Sequence, residues 1–296
     1  MSSRIKKRIT IGIPTFNEEK NIMCFFDNLK NQALVQKQSL QIIFVDDSND
    51  NTPFVIEKIK KENPEYDIEL YHNEKRMGAA NAWNIIFKES RGEITVLLDA
   101  DIILEKYCIY NLISSLNKKT GLCASNTLPI VEENNIYSQA SAFIAYWLRS
   151  IRKLGISQYT TMGRALAIQV EEIKDLHIPL DTIAIDLFIQ CKILEKHKRV
   201  VYNDNAKIYF KTPLNKKDFL NQVSRSIIGH KQIKNYTKRF SFNLSSLTLI
   251  SEFIKTFARH PKWGLALIYC YIFLPFIYFK NKDKTSYLWE MAKSTK

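Results

Sequence analysis

The sequence predicts an α/β fold: a mostly parallel, Rossmann-like sheet flanked by helices. Two observations predict it. Strand-like and helix-like segments alternate through the first hundred residues, and strands alternating with helices of this length build parallel sheets. Several strand segments, such as "ITVLL" at 94–98, are continuously apolar rather than alternating, as strands buried on both faces are. With 296 residues, 46% of them apolar, the chain has material for one large domain or two small ones.

Each element follows from its residues. "RITIGIP" reads as the first strand, ending at Pro14, and "EEKNIMCFFDNLKNQ" as an amphipathic helix. "LQIIFV" is the second strand, ending at Asp46 and Asp47. "TPFVIEKIKKEN" is a helix with Pro53 in its first turn, where a missing N–H is tolerated. "DIELYHN" is a strand, "GAANAWNIIFKES" a helix and "EITVLL" the next strand.

Ligands of parallel sheets bind beyond the carboxyl ends of the strands. Three such ends here are polar or acidic: "PTFNEE" from Pro14, "DDSND" from Asp46, and "DAD" from Asp99 to Asp101. Each acid alone has a plain explanation; Asp101 would cap a helix starting near Ile102. One shared site explains all three. It is not a dinucleotide site: no GxGxxG turn follows the first strand, Glu18 and Glu19 stand where a phosphate needs bare amides, and no GxxxxGK[ST] loop occurs. An acidic crevice accepts a diphosphate when a metal offsets the charge. A metal-bridged nucleotide diphosphate is the expected ligand.

Five scattered cysteines without a CxxC argue against a disulfide framework and a zinc site and fit a reducing cytosol. The basic N-terminus is followed by an apolar run too short for a signal peptide. Charge is uneven. Residues 1–191 hold 22 Lys and Arg against 24 Asp and Glu, a net of −2; residues 192–296 hold 21 against 6, a net of +15. The basic third suits a polyanionic surface or phosphorylated substrate. Nucleic acid is excluded from the expected partners, because no nucleic-acid motif is present.

"IPTFNEEKNI", "FVDDSNDNT", "KRMGAANAWN" and "VLLDADIIL" together resemble the successive motifs of family 2 inverting glycosyltransferases with the GT-A fold, strongly over residues 8–104 and weakly to about 230. The resemblance implies roles. Pro14, Thr15, Phe16 and Glu18 would line the nucleoside pocket, and Asp46 or Asp47 would accept a hydrogen bond from the base. Arg76 and Gly78 fall in the segment that approaches the sugar diphosphate. Asp99 would face the ribose or a metal-bound water and Asp101 would ligate Mg2+ or Mn2+, so these two acids form the metal site. "IPLDTIAIDLFIQCKILEKHKRVVY" resembles the acceptor-side helix, with Asp186 as the base that takes the acceptor proton. Asp181 is the competing candidate, although it reads more as an N-cap.

"QVSRSIIGH" resembles the QxxRW signature of membrane-associated family members. Gln222 and Arg225 share a helix face, and Arg225 would clamp the diphosphate or the acceptor. Ser226 stands where Trp is expected, which argues against polymer synthesis. "TMGRALAI" resembles the segment leading to the acceptor pocket, with Arg164 read as a surface charge.

The run from Trp263 to Phe279 is uncharged over 17 residues, with lysines at both flanks and Pro275 inside it. That length is marginal for a crossing, so the run reads as a re-entrant or in-plane anchor. Phe242, Leu249, Ile250, Phe253 and Phe257 share one helical face. Phe143, Trp147, Ile151 and Leu154 share another, opposite Arg149 and Arg152, and both faces suit a membrane interface.

The expected organisation is a GT-A catalytic domain at 1–215, divided at 104/105 into nucleotide-sugar and acceptor halves. QxxR and interfacial helices follow at 216–260, and a membrane-associated segment with a basic tail at 261–296. The expected function is transfer of one sugar from a UDP- or GDP-type donor to a lipid-linked or glycan acceptor at the cytosolic face of the cell membrane. Transfer to a polyprenyl phosphate and non-catalytic nucleotide-sugar binding are the alternatives.

Overall fold

A computed structural model describes residues 8–33, 40–240, 242, 244–272, 288 and 292–295. The first half is a run of strand–helix units: β1 (Ile9–Thr15), α1 (Ile22–Lys30), β2 (Leu40–Asp46), α2 (Thr52–Glu62), β3 (Asp67–His72), α3 (Ala79–Glu89) and β4 (Ile94–Leu98). β1, β2, β3 and β4 pair in parallel, and β1 is central among them. Alternate side chains of β2 enter opposite cores. Ile42 and Phe44 face the layer of α1 and α2, and Ile43 and Val45 face that of α3. Burial on both sides is why these strands are continuously apolar. A Cβ at Gly12 would overlap Ile86 of α3, so this glycine lets the helix seat directly on β1.

No helix starts at Ile102. Residues Ile102–Leu104 form a short strand, β5, and α4 (Cys108–Ser114) begins only later. Asp101 therefore caps no helix there, and the plain explanation of that acid fails.

The chain continues through β6 (Thr120–Ile130), α5 (Ile136–Leu154), β7 (Ala165–Gln169), α6 (Val170–Ile173), α7 (Ile185–Glu195) and β8 (Arg199–Lys211). The eight-stranded order is β3-β2-β1-β4-β7-β6-β8-β5. β7 runs antiparallel to β4 and β6, so the sheet is mixed beyond β4. Its pairing with β4 sets the Arg164 carbonyl against the Asp99 N–H.

Four further helices complete the described fold: α8 (Lys216–Gln232), α9 (Lys234–Thr237), α10 (Ser246–Arg259) and α11 (Pro261–Ile272). The aromatic residues of α5 and α10 on the faces expected at a membrane interface are packed inside the protein, while Leu154 and Ile250 stay exposed. Phe143 and Trp147 of α5 meet Phe253 of α10 edge to face, and Trp147 Nε1 donates to the Leu249 carbonyl at 3.1 Å. Ala266, Leu267 and Cys270 of α11 complete this small core. The opposite face of α5 is also covered. Arg149 forms a two-pronged pair with Asp204 of β8, and Arg152 is 2% exposed and stacks over Tyr202. Of the uncharged run, only residues 263–272 fall among those described, as part of α11. The rest, with Pro275 and lysines 280, 282 and 284, lies outside them. Among the described residues no helix is long and apolar enough to cross a membrane.

Candidate active site

A pocket of about 290 Å³ opens beyond the carboxyl ends of β1, β2 and β4. Pro14, Thr15, Phe16 and Glu18 form one wall, where β1 ends. The loop turns there because Asn17 adopts φ 56°, and Ser48 and Thr52 accept the Asn17 and Glu18 N–H groups. The Arg76 guanidinium stacks on Phe16 at 4.0 Å, and burial holds its pKa below the usual value.

The two adjacent acids of β2 separate. Asp47 lines the pocket, and its Oδ2 accepts from the N–H groups of Met77 and Gly78 at 2.8 and 2.7 Å. Gly78 has φ 91°, a conformation that a side chain would resist, and it delivers its N–H to the carboxylate while opening α3. Asp46 is 0% exposed and points the other way. Thr15 Oγ1 and the Ser48 hydroxyl donate to its Oδ1, and His72 Nδ1 lies 2.8 Å from its Oδ2. Asp46 does not reach the pocket, so between the two acids it is Asp47 that is placed to meet a base.

Asp99 and Asp101 stand on the pocket floor. Desolvation and the neighbouring Asp101 charge raise the pKa of Asp99, and Arg164 and Arg225 partly offset this. Arg164 is no surface charge. Its Nη1 lies 3.8 Å from Asp99 Oδ2 and 3.6 Å from Asp101 Oδ1, and its guanidinium stacks over Phe210 at 4.3 Å. Among the described residues no three His, Cys, Asp or Glu side chains gather as a metal set. The two carboxylates offer oxygen alone. That suits a hard divalent cation such as Mn2+ or Mg2+ completed by ligand oxygens and water, and does not suit zinc.

Gln222 and Arg225 of α8 close the far wall. Burial holds the pKa of Arg225 below the ordinary arginine value, while the charges of Asp99 and Asp186 pull it back up. Arg225 thus stands electrostatically between the acids of β4 and the acid of α7. Asp186, in the first turn of α7, lies outside this pocket, beside the loop that leads into β7. Its Oδ2 accepts the Gly163 N–H at 2.9 Å, with Gly163 at φ 28°. Gln190 pins that loop by accepting from Thr161 and donating to the Ser157 carbonyl. Burial raises the pKa of Asp186, against the Leu187 and Gly163 N–H groups and the positive fields of His230 and Arg225. Asp181 is exposed and lies four residues before α7, so it caps no helix; its carbonyl accepts from Gln232.

Sequence reasoning missed the residues that complete the rim. Asp218 of α8 lines the pocket and accepts from the N–H and hydroxyl of Ser294, which brings Ala292 and Thr295 to the edge. No local motif marks this contact, because 76 residues separate its partners. For Arg164 the signal was present, in a strand end facing "DAD".

The profile of "Glycosyl transferase family 2" matches residues 10–169. A dolichyl N-acetyl-alpha-D-glucosaminyl phosphate 3-beta-D-2,3-diacetamido-2,3-dideoxy-beta-D-glucuronosyltransferase of Methanococcus voltae is 33% identical over 110 residues, 37% of this chain and 34% of the relative. A dolichol-phosphate mannosyltransferase of Pyrococcus furiosus is 28% identical over 115 residues, 39% of this chain and 32% of the relative. The chain thus spans about a third of the length of these two curated relatives. Among solved structures, the mannosyltransferase PcManGT from Pyrobaculum calidifontis, in complex with GDP-Man and Mn2+, superposes with a TM-score of 0.61 at 20% identity. The match covers 96% of this chain and 85% of that one, and it shows the same fold. With a profile match over more than half its length, the chain belongs to glycosyl transferase family 2.

Proposed function

We propose that this glycosyltransferase moves a single sugar from a nucleotide diphosphate sugar, of the UDP or GDP type, to a lipid-linked or glycan acceptor and inverts the anomeric carbon. One observation carries the reading. The acid pair Asp99 and Asp101 stands beyond β4 with the Arg164 guanidinium beside it, and Arg225 feels the charges of both Asp99 and the isolated, buried acid Asp186. The names of the Methanococcus and Pyrococcus relatives and the GDP-Man and Mn2+ of the Pyrobaculum enzyme support it.

The nucleoside lies along Pro14 to Glu18, with Asp47 accepting from the base. Arg76 and Gly78 lie alongside the diphosphate. Asp101, with Asp99 beside it, would hold a Mn2+ or Mg2+ ion, whose positive charge would offset that of the diphosphate. Arg164 and Arg225 add charge from the opposite side, and a preorganised guanidinium needs no rearrangement as the negative charge grows. Gly163 fixes one oxygen of Asp186, whose carboxylate takes the acceptor hydroxyl proton while the acceptor oxygen attacks the anomeric carbon and the bond from that carbon to the diphosphate breaks.

A thermal-shift series with UDP-, GDP- and dTDP-sugars, with and without Mn2+, tests the reading, because a ligand that binds the folded state alone stabilises it. One nucleotide should raise the melting temperature in a Mn2+-dependent way. If none does in wild type, the transferase reading fails. Transfer to a polyprenyl phosphate is a second reading, favoured by the positive fields of Arg225 and His230 at Asp186. That acceptor is already anionic and needs no base, so Asp186→Asn would spare it and stop transfer to a hydroxyl.

The enzyme works at the cytosolic face of the cell membrane in this reading. Leu247, Ile250 and Ile254 of α10 are 78%, 55% and 61% exposed on one face, and Leu265, Ile268 and Ile272 of α11 are exposed too. Lys255, Arg259 and Lys262 lie close to this apolar surface in sequence, as an interfacial helix pair requires. Sedimentation with vesicles containing anionic lipid checks this. Leu247→Ser with Ile250→Ser and Ile254→Ser should stay in the supernatant.

A further inference from the structure

Beside the donor pocket lies a second cavity, of about 450 Å³, that the sugar-transfer reading leaves unused. The two share Arg164 and Gln222, so the second begins where the first ends. Its polar groups include Arg164, Gln222, Gln158, His230, Tyr159 and Ser141, with the ring of Tyr159 tilted against that of His230 at 5.5 Å. Beyond them the walls turn apolar. Ile144, Ala145, Leu148 and Ile151 come from α5, Phe219 and Val223 from α8, and Leu249 and Tyr271 from α10 and α11. These are the helices whose outer faces expose Leu247, Ile250, Leu265 and Ile268.

The walls select against a free glycan. A sugar brings hydroxyls in every direction, and each needs a partner once it is desolvated. The end built by α5, α10 and α11 offers few, Ser141 and Tyr271 standing among Ile144, Ala145, Leu148, Ile151 and Leu249. Ser226 also lines it, at the position where a Trp would supply a flat platform for sugar stacking. The small side chain leaves the volume open, and a volume of this size falls in the range that buries an extended apolar ligand.

We infer that this cavity is the subsite for the hydrocarbon portion of the acceptor, so that the acceptor is an amphiphile whose sugar-receiving group sits at Asp186 and whose chain runs between α5 and α8 toward α10 and α11. The inference rests on the transferase reading and narrows its acceptor to the lipid class.

A chain-length series on the full chain tests it. Methyl, hexyl and octyl β-D-glucopyranosides, all below the micellar concentration of the octyl compound, are titrated calorimetrically into the protein. Affinity should rise with chain length, with octyl binding at least about tenfold more tightly than methyl, since each buried methylene is favourable. Ser226→Trp and Ala145→Leu, which fill the cavity from two sides, should each lose that gain while binding Mn2+ with nucleotide as wild type does. Ser226→Ala, which keeps the space, should retain it. Equal affinity across the series, or octyl binding undiminished in both filled variants, overturns the inference. Retained nucleotide binding certifies that a filled variant is folded; if one fails to fold, the other and the wild-type series still decide. The donor is read separately. Absence of nucleotide binding in wild type sinks the transferase reading, whereas the chain-length series alone decides what the cavity holds.

Discussion

The strand ends from β1 to β4 and the packed layer of α5, α10 and α11 are built by different means. Between β1 and β4 the molecule positions its side chains by hydrogen bonding. Asp47 is fixed by two backbone N–H groups, Asp46 by hydroxyls and His72, and the loop after β1 by Ser48 and Thr52. The layer of α5, α10 and α11 positions its side chains by packing. Aromatic edges from α5 and α10, the small residues of α11 and an open apolar cavity do the same work there. A network of directed bonds recognises one ligand shape and tolerates little change, and a packed apolar wall can be resurfaced residue by residue. The difference teaches where specificity can drift: a shared donor chemistry can be kept on one side while the acceptor varies on the other.

Breaking the donor side should give the largest effect. Asp101→Ala is expected to lower transfer at least about 1,000-fold, the order seen when one stabiliser of developing charge is removed. It should abolish the Mn2+ dependence of nucleotide binding and leave the melting temperature of the free protein close to wild type. A variant that keeps wild-type Mn2+ dependence would remove Asp101 from the metal site.

The acid of α7 comes next. Asp186→Asn should cost about 100-fold or more in kcat toward a hydroxyl acceptor, the usual range for a general base, with donor affinity unchanged. The pH profile sharpens the assignment. Burial raises the pKa of Asp186, and the base acts in its ionised form, so activity should fall as pH drops through that raised value. The acid limb should therefore lie above the ordinary aspartate range and be absent from the residual rate of the variant. An acid limb at ordinary carboxylate pH would contradict the assignment.

A smaller effect belongs to Asp47→Asn. It keeps shape but weakens two charge-assisted bonds, and should raise the donor Kd about tenfold by titration, with kcat at saturation little changed. The smallest belongs to the packed side. Arg152 is buried with its Nε and Nη2 unpaired among the described residues, so Arg152→Met should change stability by less than about 1 kcal/mol, in the stabilising direction, by urea denaturation. A large loss would show that the Arg152 contacts with Thr127 and Tyr202 matter more than its desolvation.

The same contrast explains what could be read in advance. Strand ends in a parallel sheet converge, so "PTFNEE", "DDSND" and "DAD" pointed to one crevice before any coordinates. Adjacent residues on a strand end face opposite ways, and nothing in "DD" says which acid is inside, so Asp46 and Asp47 stayed indistinguishable until β2 was placed. The faces of α5 and α10 were legible as buried faces. Periodicity reports that a face is apolar without saying what covers it, and here the aromatic residues of α5 and α10 cover one another while Leu154 and Ile250 stay exposed. Arg164 escaped because its partners lie more than sixty residues earlier, across the β4–β7 pairing.

Asp46 carries a consequence for reading loss-of-function screens. Its carboxylate ties Thr15 of β1 and His72 of β3 to β2, and so holds the mouths of three strands at fixed spacing. Replacing it by alanine would strand those partners without an acceptor and let the nucleoside wall spread. A screen scored on product alone would rank Asp46 beside Asp47 and Asp101, although its side chain has no path to a nucleotide. Scoring the same library for abundance would separate the residue that holds the frame from those that face the ligand.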